Sequence, residues 1–415
     1  MHRFRYRENE LYCENVPVRK IAEQVNTPFY LYSQQTIVDH YNLVDQAFSN
    51  FDHLICYAVK ANANPEILSL LASQGAGADV VSRGEIYLAL QNGFPAEKIV
   101  FAGVGKRPDE IEYALERKIY SFHVESEQEL ELINQIAQKK HQIARIALRI
   151  NPDIEIHGHP YISTGKAIDK FGIEVKTVKE LIQRIHEFSN IALIGLHCHI
   201  GSQVTEIKPY GEALQVLNEL VEEIQKQGIE LQYVDMGGGL GVRYKNVMED
   251  PHGIELSPKI LVESLRPQLE CLNTRIIFEP GRFIVAQAGV VITRVLYLKE
   301  TAGHRFVIVD AGMNDLIRPS LYEAYHEIVA VHQNAASKQP VDVVGPICES
   351  GDFLGKERWL PVLHPGDLLA VMTAGAYGFV LSSNYNARPL PAEVMVHDDT
   401  WEIIRPEQDL QNLWT

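Results

Sequence analysis

Through the first two thirds of the chain, short apolar and β-branched runs alternate with segments of helical period. The runs are Leu54–Val59, Ala78–Val81, Lys98–Ala102, Tyr120–Val124, Ala144–Ile150, Ala192–His199, Leu231–Asp235 and Arg275–Glu279, and each predicts a strand. Between them lie helix-like stretches at Pro65–Gln74, Ser82–Gln91, Pro108–Arg117, Ser126–Gln138, Val175–Phe188, Pro209–Gln227 and Pro258–Leu272, several opened by the proline or serine that suits a helix start. Alternation of this kind predicts a parallel sheet. Eight βα units over about 240 residues match a closed (β/α)8 barrel better than an open doubly wound sheet.

After Glu279 the pattern changes to short β-type runs joined by turns: Val290–Leu298, Arg305–Val309, Ile328–Val331, Val341–Val344, Asp367–Met372, Glu393–Val396 and Trp401–Ile404. These predict a second, C-terminal antiparallel β domain. The strand-like Phe29–Tyr32 precedes the first barrel unit and is expected to complete that domain. The expected division is a barrel over 34–282 and a β-sandwich or β-barrel-like domain built from 1–33 plus 283–415.

Composition narrows the function. With 38 Lys and Arg against 54 Asp and Glu, the chain carries a formal charge of −16, which argues against a nucleic-acid surface or a polybasic membrane contact and favours a small polar substrate. No apolar run approaches the roughly 18 residues of a membrane span, and the opening Met1-His2-Arg3-Phe4 has no secretory apolar stretch. A cytoplasmic protein is expected. The five cysteines are scattered, odd in number and without CxxC pairs, so neither a disulfide framework nor a thiolate metal site is expected.

In a barrel, chemistry gathers at the C-terminal strand ends, and here those ends are polar. Lys60 follows the first run, where rigid placement in a partly dry site suits a Schiff-base amine; an ordinary strand-end lysine reaching solvent is the alternative. The sixth run ends in His197-Cys198-His199-Ile200-Gly201-Ser202. Alternation puts His197 and His199 on one side, open to a shared metal ion, but no third ligand is evident and no metal is expected. Asp235-Met236-Gly237-Gly238-Gly239 follows the seventh run. A dinucleotide pattern begun at Gly237 fails at Val242, yet consecutive glycines after a late barrel strand still let backbone amides approach a phosphate. Glu279 opens Glu-Pro-Gly-Arg; it either pairs with Arg282 or Arg275, or holds a pyridine nitrogen protonated so that the ring accepts electrons from a breaking bond.

Taken together, these features resemble the fold-type III pyridoxal-phosphate enzymes, whose barrel is alanine racemase-like, and within them the diaminopimelate decarboxylase family. The resemblance covers nearly the whole chain. It is carried by Tyr-Ala-Val-Lys-Ala-Asn at 57–62, Gly-Ala-Asp-Val-Val-Ser at 77–82, His-Pro-Tyr-Ile-Ser-Thr-Gly at 159–165 and Lys-Phe-Gly-Ile at 170–173. Further matches are His-Ile-Gly-Ser-Gln at 199–203, Gly-Gly-Gly at 237–239, Glu-Pro-Gly-Arg at 279–282, Arg-Pro-Ser-Leu-Tyr at 318–322, Cys-Glu-Ser-Gly-Asp at 348–352 and Ala-Gly-Ala-Tyr-Gly at 374–378.

The resemblance implies decarboxylation of meso-2,6-diaminopimelate to L-lysine with pyridoxal 5'-phosphate. It implies that Lys60 tethers the cofactor, His199 stacks on its ring and Glu279 pairs with its nitrogen. Ser202, Gly238, Gly239, Gly281, the Arg282 backbone and Tyr377 would hold its phosphate. Arg282, Arg318, Tyr322, Glu349 and Tyr377 would surround the substrate, and Cys348 would donate the proton that replaces the carboxylate. Arginine and glutamate together suit a second amino-acid centre, whereas a diamine precursor offers arginine no partner. The resemblance also implies a homodimer in which Cys348 and Glu349 serve the neighbouring barrel. The loop at 159–165 is expected to close over substrate, and the first ten residues and the loop 244–254 to carry no chemistry. Rival readings are a decarboxylase for arginine, ornithine or a carboxylated polyamine, an amino-acid racemase, and a cofactor-carrying barrel without turnover.

Overall fold

The computed structural model describes residues 2–154, 170–333 and 337–413. It divides into two compact units, one of 41–241 and 255–281, the other of 1–40, 242–254 and 282–415. The expected closing loop at 159–165 lies outside the described residues.

The first unit is a closed parallel barrel of eight strands. In chain order these are His53–Ala58, Gly77–Val80, Ile99–Phe101, Ser121–Val124, Ala144–Asn151, Ile191–Cys198, Tyr233–Gly238 and Arg275–Glu279. Each pairs in parallel with its successor, and the eighth closes on the first through Ile276 opposite His53 and Phe278 opposite Ile55. The expected strands fall within two residues of the observed starts. The seventh runs on to Gly238 rather than stopping at Asp235, because pairing with the eighth strand continues through Gly238 opposite Glu279. Helices start where their caps predict: Asn64 accepts from the Glu66 amide ahead of Pro65–Ser73, and the Ser82 and Ser126 side chains cap the helices Arg83–Gln91 and Glu127–Lys139.

Inside the barrel, Leu54, Cys56, Val100, Tyr120, Ala147, Ile194, Tyr233 and Ile277 pack into one buried cluster drawn from strands on both sides of the closure. Gly195 makes room for the Tyr233 ring: a Cβ there would sit 2.6 Å from it. This buried cluster gives the strand ends a rigid base.

The second unit is built on a sheet running through Phe353–Leu360, Gln339–Val344, His304–Val309, Gly289–Thr301, Phe29–Ser33, Ala392–His397 and Thr400–Arg405, with Leu368–Val371 also on Gly289–Thr301. It is mostly antiparallel, as expected. Two pairings are parallel, His304–Val309 with Gln339–Val344 and Phe29–Ser33 with Ala392–His397. In both cases the strands are separated by a long connection that a hairpin could not supply. Phe353–Leu360 was not foreseen, since Gly355-Lys356-Glu357-Arg358 interrupts its apolar pattern. A three-stranded piece, Phe4–Arg7, Glu10–Cys13 and Val16–Pro17, packs Phe4, Leu11 and Val16 into the same core as Phe29, Val290, Ile292 and Val394. Among the described residues no helix is long and apolar enough to cross a membrane.

Candidate active site

Barrel closure brings the ends of six strands to one place. Lys60 sits on a short 3-10 turn, Val59–Ala61, directly after the first strand. Its Nζ lies 3.4 Å from Oδ2 of Asp79, a second-strand residue that is 1% exposed. Burial, then the neighbouring Glu279, raises the Asp79 carboxyl to about 6, against the pull of Lys60.

Glu279 ends the eighth strand, 4% exposed. Around it stand His123 from the fourth strand (Nδ1 to Oε1, 3.6 Å) and His197 from the sixth (Nε2 to Oε2, 3.3 Å), their rings stacked at 4.2 Å. Asp235 from the seventh strand is completely buried, 3.7 Å from His123 Nε2. Burial holds both histidines well below the usual imidazole range, so both are neutral at physiological pH. One ligand atom from each of His123, His197, Asp235 and Glu279 lies within 4.8 Å of the others. The barrel's cations are answered by acids: Arg149 meets Glu125 at 2.7 Å and Lys106 meets Glu129 at 2.7 Å.

His199 is set differently from His197. The Gly238 amide donates to its Nδ1 at 3.0 Å, and burial with Lys60 and Arg149 nearby keeps it neutral. The two histidines therefore have different partners, His197 the Glu279 carboxylate and His199 the glycine loop. Ser202 lies in the loop after the sixth strand, which is tied to the glycine loop by Val204 N–H to Gly239 O (2.8 Å) and Gly241 N–H to Val204 O (2.9 Å). The Tyr210 hydroxyl donates to the Gly238 carbonyl at 2.9 Å. A Cβ at Gly238 would fall 1.9 Å from the Glu279 carbonyl, and Gly239 adopts φ +88°, so this loop tolerates only glycine. Gly281 packs against Ala58 and Ala61, where a Cβ would be 3.0 Å and 2.9 Å from their methyls.

A pyridine ring with a phosphate arm fits this residue set. Glu279 is a buried carboxylate whose paired neighbours are neutral imidazoles, a neutral imidazole is held by backbone, and glycine amides line a loop where side chains are excluded.

The second unit carries its own polar cluster. The Arg282 guanidinium donates to the Tyr244 hydroxyl at 2.6 Å and Arg318 Nη2 donates to the same oxygen at 3.3 Å. Arg282 lies over the Tyr377 ring at 5.0 Å, and Arg318 lies near the rings of Tyr244 and Tyr322. Arg318 Nε donates to His326 Nε2 at 3.3 Å, while His326 Nδ1 donates to the Met372 carbonyl at 2.9 Å. Burial pushes His326 down to about 3, aided by Arg318. Arg318 is 6% exposed, and among the described residues no carboxylate forms an ion pair with it.

Arg282, Arg318, Tyr322 and Tyr377 thus come together, as Lys60, His199, Gly238, Gly239 and Glu279 do in the barrel. Cys348 and Glu349 stand apart on an exposed turn, where the Asn386 side chain accepts from the Cys348 amide at 2.8 Å and the Tyr385 hydroxyl donates to Glu349 at 3.3 Å. Sequence reasoning quoted Asp79 and Asp235 only within motifs and assigned no role to them or to His123, Tyr244 and His326. The first three carried a signal, a titratable residue inside an apolar strand. Tyr244 lies in a loop expected to be inert, and its place between two guanidiniums corrects that expectation.

The barrel and its strand-end residues define a pyridoxal-phosphate enzyme of the decarboxylase class, and residues 34–286 match the pyridoxal-dependent decarboxylase family at its pyridoxal binding domain. A diaminopimelate decarboxylase of Aquifex aeolicus is 46% identical over 97% of this chain and 94% of its own length, and one of Haemophilus influenzae is 46% identical over 100% and 99%. The Helicobacter pylori diaminopimelate decarboxylase solved with L-lysine superposes with a TM-score of 0.91 at 43% identity, covering 95% of this chain and 98% of that one. The chain belongs to the diaminopimelate decarboxylase family. It is a decarboxylase, and its cofactor is pyridoxal phosphate.

Proposed function

We propose that the chain decarboxylates meso-2,6-diaminopimelate to L-lysine and carbon dioxide, the last step of lysine biosynthesis. The observation that carries the substrate assignment is Arg318, a buried guanidinium oriented by His326 and facing the Tyr244 hydroxyl instead of a protein carboxylate. A buried cation in that state calls for an anionic ligand group. A substrate with an amino-acid centre at each end supplies a distal carboxylate; ornithine and lysine do not. The relative solved with L-lysine supports the same choice.

In this reading Lys60 would tether the cofactor, Glu279 would keep a proton at its ring nitrogen, and neutral His199 would stack on its ring. Ser202, Gly238, Gly239, Gly281, the Arg282 backbone and Tyr377 would hold its phosphate. When bound, the cofactor supplies an electron sink for the bond to the departing carboxylate. Arg282, Arg318, Tyr322 and Tyr377 take the far end of the substrate, with Glu349 on its ammonium, and so fix which Cα bond stands ready to break. Cys348 returns a proton to that carbon.

The protein works as a homodimer in which each chain lends Cys348 and Glu349 to the partner; their exposure in the single chain supports this. Free cysteines throughout support a reducing, cytoplasmic compartment. The test is product analysis with purified protein, pyridoxal phosphate and meso-diaminopimelate, beside ornithine, arginine and lysine. Stoichiometric lysine and carbon dioxide from diaminopimelate is the expected result. Faster release from any of the other three would overturn the substrate assignment.

A further inference from the structure

Four strands deliver His123, His197, Asp235 and Glu279 to one buried point, and the hydrogen-bond inventory there does not balance. Asp235 Oδ2 and Glu279 Oε1 are both buried and neither meets a donor, although a carboxylate oxygen of each residue lies within 4.8 Å of the other. His123 supplies neither of them: its nitrogens stand 3.7 Å and 3.6 Å away, beyond hydrogen-bond length. Asp235 Oδ1 is already committed, accepting from the Gly237 amide at 2.8 Å. Two acceptor-only carboxylates at this spacing would repel, and each would leave a buried lone pair unanswered. One proton on Oδ2 of Asp235 removes both faults.

We propose that Asp235 is a protonated acid that donates to Glu279 Oε1 while its other oxygen anchors the Gly237 amide, so that it positions the ring-nitrogen carboxylate and the glycine loop together. The proton leaves Glu279 ionised and leaves Oε2 for the ring nitrogen. The surroundings favour this split. Asp235 is fully buried, and burial followed by Glu279 drives its carboxyl well above the usual carboxylate range. The remaining charged groups around the pair are Asp79, Lys60, Arg149 and Lys106, and Arg149 and Lys106 are paired with Glu125 and Glu129. His123 and His197 are neutral and bring no charge. A protonated aspartic acid thus serves as a hydrogen-bond donor that an ionised one could not be, and it ties the seventh strand's exit to the eighth strand's last residue.

This rests on the assignment of Glu279 to the ring nitrogen, so the experiment separates the two claims. In holoenzyme, Asp235→Asn replaces the acid O–H by an amide N–H of the same shape. It is expected to keep at least about a third of kcat and the cofactor's absorption spectrum. It also removes the carbonyl stretch of a protonated carboxylic acid from the infrared spectrum. Asp235→Ala leaves Glu279 without its donor and is expected to lose about tenfold or more in kcat, with an altered cofactor spectrum. A larger loss in Asp235→Asn, or persistence of the acid band in that variant, overturns the proposal; should Asp235→Ala fail to fold, the Asn variant alone decides. Glu279→Gln tests the underlying reading: an unchanged cofactor spectrum would overturn the nitrogen assignment, whereas the band belongs to Asp235 whichever way that result falls.

Discussion

The barrel mouth and the arginine cluster of the β unit solve the same problem with opposite charge. In the barrel, Asp79, Asp235 and Glu279 crowd together with neutral His123, His197 and His199, and the nearby cations Arg149 and Lys106 are cancelled by Glu125 and Glu129. In the β unit, Arg282 and Arg318 converge on one tyrosine hydroxyl beside neutral His326. Burial makes imidazole neutral in both places, so histidine acts as a shaped hydrogen-bonding group in each and as a charge in neither. The difference lies in the surplus: acid in the barrel, where the proposed function puts an amine and a protonated ring nitrogen, and guanidinium in the β unit, where it puts a carboxylate. Charge left uncompensated within the chain is what identifies the ligand group.

The largest effect is expected where the barrel acts covalently. Lys60→Ala should lower kcat by about a thousandfold or more, and borohydride reduction of the unaltered protein should map the cofactor to the peptide holding Lys60. A label on another lysine would break the comparison at its barrel end. Mixing Lys60→Ala chains with Cys348→Ala chains should restore up to roughly a quarter of normal sites by random two-fold pairing; no recovery in verified heterodimers would exclude a shared site.

The β unit should respond differently. Arg318→Lys keeps the charge but loses the planar fork, so KM for diaminopimelate should rise about tenfold to a hundredfold while the cofactor spectrum stays unchanged. A fall in kcat with constant KM would assign Arg318 to chemistry instead of to substrate holding. Back in the barrel, Gly238→Ala drives a methyl into the Glu279 carbonyl; a loss of roughly 1–3 kcal/mol in stability and weaker cofactor retention are expected, read by urea unfolding and by dialysis.

The barrel was legible in the chain because each strand is short, apolar and followed by a capped helix, so period and caps agree. Lys60, His199 and Glu279 were legible because strand ends are where barrels keep their chemistry. Asp79, His123 and Asp235 lie one or more residues inside the strands, where an isolated acid or imidazole reads as an ordinary interior side chain until closure brings these three strands together. Tyr244 and His326 depend on contacts between segments more than 70 residues apart, which no local pattern encodes. Phe353–Leu360 was lost for a simpler reason: Lys356, Glu357 and Arg358 face solvent in part, and the strand has no continuous apolar face.

The smallest effect, and the sharpest contrast, lies in how each cluster bends stability with pH. Asp79 holds its proton up to about 6 in the folded protein but loses it near the ordinary 3.8 when unfolded. Its contribution is therefore complete below 3.8 and is lost as pH rises to about 6. His326 runs the other way. Folded, it refuses a proton down to about 3, while the unfolded imidazole takes one near 6.5, so its contribution is complete above 6.5 and is lost as pH falls toward 3. Each group contributes a slope of at most ~1.4 kcal/mol per pH unit within its window. Urea unfolding of cofactor-free protein between pH 4 and pH 8 should show Asp79→Asn gaining stability relative to the parent as pH rises from about 4 to 6. His326→Gln, whose amide oxygen can still accept from Arg318, should lose less than the parent as pH falls below about 6.5. If the two variants shift the profile in the same direction, the opposition of the two clusters is not electrostatic, and the acid surplus of the barrel and the guanidinium surplus of the β unit would need separate explanations.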